Sequence, residues 1–232
     1  MSAILDKIKT RGYWRIIIRP TVFRANQLST LDKAHALVKR SAVSIERRGW
    51  VFPQVNLDRD LLRGAQDQWV GQESDWHIHL EAWRMYKSAQ FVYLGGFWSD
   101  WQDQSIWQRP PETWRPTAQL FVGEVIFKLL ETYRFAAGMA AAVPEFHALL
   151  IHAKLLGLKD RTLSLGMPGR RWELDTRTLI SNSLEYKKTF AREDLLGRTD
   201  EIALSVAAEV FGDYKWDPGL EMLRTLRGEY LE

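Results

Sequence analysis

The sequence contains no cysteine among its 232 residues. This absence excludes disulfide bonds, thiolate nucleophiles, and zinc or iron–sulfur sites that depend on cysteine ligands. A chain without cysteine is typical of a reducing compartment, so we expect a cytoplasmic protein. The first residues also lack an apolar run long enough for the core of a signal peptide, which agrees with that expectation.

The sequence has no long apolar run that is free of charge. The best candidate for a membrane span, residues 118–143, is interrupted by four charged side chains, Glu124, Lys128, Glu131 and Arg134. They recur every three or four positions and therefore share one side of a helix. We expect a core helix of a soluble protein, with this row of charges facing water, and no membrane partner.

Motifs of the commonest catalytic and nucleotide-binding sites are also missing from the sequence. There is no Walker-type phosphate loop, no dinucleotide-binding G-x-G-x-x-G and no G-x-S-x-G elbow. Helix-turn-helix, zinc-finger and aromatic RNA-binding signatures are absent as well. These absences disfavour the commonest nucleotide-dependent enzymes and serine hydrolases, and they leave the cofactor, if any, unknown.

What the sequence does contain predicts a fold class. Hydrophobic residues make up 46% of the chain and charged residues 26%, which is typical of a soluble globular protein. Alternating apolar and polar stretches predict antiparallel strands, and helical spacing predicts a long central helix and two C-terminal helices. We predict an α+β fold with a mostly antiparallel sheet. A single domain over 1–232 is the preferred interpretation, and two subdomains, 1–116 and 117–232, are the alternative.

Alternate positions of the segment 75–86 hold His77, His79 and Glu81. A strand would direct these three side chains to one side, where they could bind one metal ion. Two histidines and a glutamate with an open fourth position suit catalytic zinc. The simpler interpretation is that these residues form the solvent face of a half-buried strand, in a hairpin with the strand that follows.

Two further carboxylates precede this trio. Glu73 and Asp75 could supply oxygen ligands or a general base. A metal-dependent hydrolase that uses Glu73, Asp75 or Glu81 for acid–base chemistry is therefore one hypothesis for the function.

Eight of the eleven tryptophans fall between residues 50 and 114. Tryptophan buries a large apolar area and keeps a hydrogen-bond donor, so it is common in interface hot spots as well as in cores. Residues 97–116 form a proline- and tryptophan-rich segment that we predict to be a long loop. We expect Trp101, Trp107 and Trp114 to be the tryptophans that contact a partner, and core packing is the alternative.

Basic residues are concentrated at the start of the chain, where residues 1–50 hold eleven lysines and arginines against three acidic residues. Such asymmetry can mark a contact surface for an anionic partner. Arg15, Arg19 and Arg24 are the candidate nucleic-acid contacts, since Arg15 and Arg19 would share one face of a predicted strand. A solvated surface balanced by acidic residues elsewhere is the alternative.

These features together favour a soluble macromolecule-binding protein, acting as an adaptor, sensor or regulatory subunit with a protein partner. Nucleic-acid binding through the basic first segment is the second hypothesis. Metal-dependent hydrolysis at His77, His79 and Glu81 is the third.

Overall fold

The computed structural model describes residues 2–45, 51–55, 61–106, 109–110, 112–165 and 177–231. The helices are α1 (Ala3–Ile8), α2 (Leu31–Ser41), α3 (Val122–Ala142), α4 (Arg192–Asp213) and α5 (Gly219–Leu231). The strands are β1 (Tyr13–Pro20), β2 (Val43–Ser44), β3 (Val51–Phe52), β4 (Leu62–Arg63), β5 (Trp69–Trp76), β6 (His79–Tyr86), β7 (Phe91–Gly96), β8 (Gln119–Phe121), β9 (Ala148–Leu156), β10 (Thr162–Ser164) and β11 (Ser183–Ala191). Short 3-10 turns cover Ala65–Asp67 and Trp98–Gln104.

Seven strands form one sheet in the order β11-β9-β1-β7-β6-β5-β4. Every neighbouring pair in it is antiparallel. The predicted α+β class, with a long helix and two C-terminal helices, is confirmed. The sheet takes strands from both sides of residue 117, and the division of the chain into one or two domains stays a prediction.

The sheet has one face covered by helices. Trp14, Ile16 and Ile18 of β1 are fully buried and belong to the main core, which also contains residues of α2, α3 and α4. Arg15 and Arg19 alternate with them and are exposed on the other face, as the two-residue period of a strand requires. Helix α1 covers this second face only towards β5, β6 and β7.

The C-terminal helices follow their sequence signals with one difference. Thr199 and Asp200, followed by apolar residues at helical spacing, predict a helix start at that point, but α4 begins at Arg192. The predicted boundary coincides with a local break, because Arg198 has φ −135° and ψ 27° inside the helix. For the last helix the sequence predicts a cap at Asp217 and a first turn that includes Pro218, and α5 begins one residue after that proline, at Gly219. None of the helices in the described ranges has the length and apolar character that a membrane crossing requires.

A fully buried ion pair joins segments that are distant in sequence. Both carboxylate oxygens of Asp100 accept hydrogen bonds from Arg161 at 2.6 Å, and the exposed fractions are 1% for Asp100 and 0% for Arg161. Asp100 also accepts the backbone N–H groups of Gly12 and Thr117, while Arg161 donates to the Gly157 carbonyl. The pair therefore ties the start of β1 to the tryptophan-rich segment and to the turn after β9.

We predict that Arg161→Met strongly destabilises the protein. Removing one partner of a buried pair leaves an uncompensated charge, which costs about 3–5 kcal/mol. The free energy of unfolding from urea denaturation measures this loss. Arg198→Met, which breaks the exposed pair with Glu201, is the matched control and should leave the free energy of unfolding unchanged. Equal effects of the two substitutions would show that the buried pair has no special role.

Candidate functional site

The structure brings His79 and Glu81 of the predicted metal trio to one small cavity, but His77 is not among the residues that line it. Strand β6 begins at His79, and His77 lies in the preceding turn with a φ of 54°. His79 stacks on Trp76, with ring centroids 6.2 Å apart. Glu81 is only 3% exposed, so the prediction that it shares a solvent face with the histidines is wrong. The reason is that both faces of β6 are covered, one by α3 and the other by α1.

The two neighbouring carboxylates have other partners. Glu73 accepts a hydrogen bond from the Ser2 hydroxyl and lies 4.0 Å from Arg84. Asp75 is exposed and forms an ion pair with Lys7 at 2.8 Å. Within the part of the chain that the structure describes, no group of three histidine or carboxylate side chains is placed to hold a metal ion.

The charged row of α3 faces the sheet, and the prediction that it faces water is wrong. Glu124, Lys128 and Glu131 are 2%, 7% and 1% exposed. Arg134, one turn further on, is half-buried and pairs with Asp200 of α4 at 2.8 Å. Helix α3 packs between α2, α4 and the sheet, so no side of it is left for a solvated row.

A chain of polar contacts connects α3 to the sheet. The Lys128 ammonium donates to the Tyr93 hydroxyl at 3.0 Å, and this hydroxyl donates to Glu81 at 3.2 Å. Lys128 also pairs with Glu131 at 2.9 Å. Burial raises the pKa of Glu81, while the charge of Lys128 and the backbone N–H of Gln54 oppose this increase. The contacts compensate the burial of these charged groups.

Glu124 holds the start of the tryptophan-rich segment. Its carboxylate accepts the backbone N–H groups of Trp98 at 2.7 Å and of Ser99 at 3.3 Å, which lie at the first positions of the 3-10 turn. Burial raises the pKa of Glu124 to about 8, and hydrogen bonds from Ser99 and Trp98 oppose the increase. Glu124 therefore keeps its proton at neutral pH.

His79, Glu81, Tyr93, Glu124 and Lys128 are among the residues that line a small cavity of about 20 Å³. A space of this size admits a group no larger than about one water molecule. Perturbed carboxylates can mark active sites, but here they pair with groups that position secondary structure. We assign these residues to the architecture.

The tryptophans of the proline-rich segment lie mostly against the protein. Trp101 is 3% exposed and packs with Ile8, Leu80 and Ala82 in a second apolar cluster. Trp114 is half-buried, and its indole N–H donates to the Ser99 carbonyl at 3.0 Å. Trp107 lies outside the described residues. Trp101 is thus an anchor of the segment, which supports the core-packing alternative for this residue.

The basic residues predicted to contact nucleic acid are all exposed. Arg15 and Arg19 lie on the uncovered side of β1, and Arg24 follows the end of the strand. The register places Arg15 opposite Lys154 of β9. Lys154 lies opposite Glu185 of β11, and Lys187 follows two positions later on the same side. We call this surface the open face; it comprises Arg15, Ile17, Arg19, His152, Lys154, Glu185 and Lys187.

One carboxylate on the open face is already neutralised. Glu185 pairs with Lys154 at 3.2 Å and with His152 at 3.0 Å, and the hydrogen bond from Lys154 lowers the pKa of Glu185. Burial lowers the pKa of His152; the charge of Glu185 opposes this, and those of Arg15 and Lys187 add to it. Arg15 and Lys187 thus lie close enough to His152 for their charges to affect the pKa of its imidazole.

Sequence reasoning missed the contributions of β9 and β11 to this face. Alternation along residues 184–190 indicated a weak strand and so could have placed Glu185 and Lys187 on one side. Nothing in the sequence specified that β9 lies between β1 and β11, because strand order depends on long-range pairing.

Comparison of this chain with protein-family models, with curated proteins and with solved structures finds no match.

We predict that Glu124→Gln changes how stability depends on pH. The folded state holds the Glu124 proton up to about pH 8, whereas the ordinary value for glutamate is 4.5. The folded state therefore binds more protons than the unfolded state in this range, and its stability falls as pH rises. Glutamine carries no titrating proton, so this part of the decline should disappear.

Urea denaturation between about pH 5 and about pH 8 measures the effect. The free energy of unfolding of Glu124→Gln should improve relative to the wild type as pH rises. Glu145→Gln, at an exposed glutamate, is the control for loss of a surface carboxylate. A constant difference between Glu124→Gln and the wild type across the range would contradict the prediction.

Proposed function

We propose that the protein binds nucleic acid through the open face of its sheet. The observation that carries this proposal is that Arg15 and Arg19 of β1 and Lys187 of β11 are exposed on one uncovered side of the sheet, with β9 between their strands. No ion pair joins these three cations to any carboxylate of the described residues. Charges left without partners on one surface attract a polyanion.

The charge balance of the open face supports an anionic ligand. Four lysines and arginines lie there against the single carboxylate of Glu185, which Lys154 and His152 already contact. Arg24, in the segment that follows β1, is a further exposed cation. A nucleic acid that replaces the counterions around these groups gains affinity because condensed ions are released from its phosphates.

Nucleic-acid binding was the second hypothesis that the sequence offered. The first, binding of a protein partner through Trp101, Trp107 and Trp114, stays a prediction, but burial of Trp101 removes one member of that surface. Metal-dependent hydrolysis also stays a prediction, and within the described residues no three histidine or carboxylate side chains are grouped to hold a metal ion.

Removal of two charges from the open face should weaken binding and lower its dependence on salt. If each of the four lysines and arginines of the open face contacts one phosphate, log affinity for a single strand falls with log salt at a slope of about −3. Removal of one contact makes this slope shallower by roughly 0.7. Arg15→Gln with Arg19→Gln should therefore reduce the slope to about −1.5 and the affinity by about tenfold. Fluorescence anisotropy with a labelled oligonucleotide, from about 50 to about 200 mM salt, gives both values.

The matched control is Lys33→Gln with Arg40→Gln. These exposed residues lie on α2, which packs on the opposite side of the sheet, and the change in net charge is the same. Equal losses for the two double variants would show that total charge, and not the open face, determines binding. The proposal is overturned if the protein binds phosphatidylserine vesicles but no oligonucleotide.

A further inference from the structure

We infer that the open face accepts a single-stranded nucleic acid and contacts its unpaired bases, with duplex bound only through phosphates. This inference rests on the proposed function and specifies its ligand. It follows from the width of the sheet, from the apolar residues between the cations, and from exposed apolar side chains in the segment that follows β1.

A row of residues in register crosses five strands of the sheet. Lys187 lies opposite His152, His152 opposite Ile17, and Ile17 opposite Val92, which in turn lies opposite Arg84. With neighbouring strands about 4.8 Å apart, this row is roughly 19 Å wide. The major groove of B-DNA is about 12 Å wide and admits one helix or a two-stranded ribbon. This row extends beyond the open face to Val92 of β7 and Arg84 of β6. It is too broad to enter a duplex groove and reach base edges.

The middle of this row is apolar and its ends are cationic. Ile17 and Val92 are both partly exposed at the centre, between Lys187 on one side and Arg84 on the other. Arg84 stacks over the ring of Trp69, 4.4 Å from its centroid, on the same side of the sheet. A ligand that matches this surface needs charged groups along its length and flat apolar groups between them. Single strands have both, because their bases are unpaired and can be splayed out.

Phe23 is an exposed aromatic residue in the segment that follows β1. It is 71% exposed and Val22 is 63% exposed, in the segment between Arg19 and Arg24. A phenylalanine in this position gains nothing from a duplex phosphate, whereas an unpaired base can stack on it. The cations and Phe23 together match the two elements of single-strand recognition, a positively charged path and a stacking platform.

The test compares oligo(dT) and oligo(U) of about 15 nucleotides with the duplex of oligo(dT) and oligo(dA), at one salt concentration. We expect the single strands to bind at least about tenfold more tightly than the duplex. Phe23→Ala should weaken single-strand binding by roughly tenfold and leave duplex binding unchanged. Leu196→Ala, which truncates a 43% exposed side chain on α4, should change neither affinity.

The outcomes separate this inference from the proposed function. If duplex binds as tightly as single strands and Phe23→Ala has no effect, the inference is overturned, whereas loss of binding in Arg15→Gln with Arg19→Gln still supports a nucleic-acid surface. If no oligonucleotide binds the wild-type protein, both are overturned. Because Phe23 lies on the surface, circular dichroism of Phe23→Ala should match the wild type, and a loss of affinity is then a loss of contact.

Discussion

The buried pair of Asp100 and Arg161 is the constraint on which the arrangement of the chain depends. Its hydrogen bonds reach Gly12, Thr117 and Gly157, so one buried interaction joins three segments that are distant in sequence. A buried charge is tolerated only when its partner and its remaining hydrogen bonds are all in place. The pair therefore specifies where β1 begins relative to the tryptophan-rich segment, and with it the orientation of the strand that carries Arg15 and Arg19.

Helix α3 imposes a second constraint of the same kind. Its row of ionisable residues faces the sheet, and each polar group there needs a partner. Tyr93 accepts a hydrogen bond from Lys128 and donates one to Glu81, while Glu124 accepts the backbone N–H groups of Trp98 and Ser99. These contacts hold α3 against one side of the sheet, where α2 and α4 pack on it. The opposite side of β1 and β9 remains a surface, and that one-sided layering creates the open face.

Two sets of charged or ionisable residues can be distinguished by what they contact. The carboxylates around Glu81 and Glu124 have shifted pKa values, yet their neighbours are backbone groups and side chains that stabilise the fold. Burial lowers the pKa of His152, and the charges of the outward-facing Arg15 and Lys187 lower it further. Burying a charged group costs free energy that contacts within the fold offset, whereas exposed charges without partners can attract an anionic ligand.

The sequence by itself determined the element types, because alternation and helical spacing are local properties. It predicted β1 with Arg15 and Arg19 on one side, the long helix α3, and a last helix that begins close to Asp217 and Pro218. It could not decide which side of an element is buried when both sides carry plausible residues. The charged row of α3 and the position of Glu81 depended on tertiary structure, because α2, α4 and α1 close surfaces that periodicity alone leaves open to water. Strand order, which brings Lys187 near Arg15, was likewise decided by long-range pairing that no local pattern encodes.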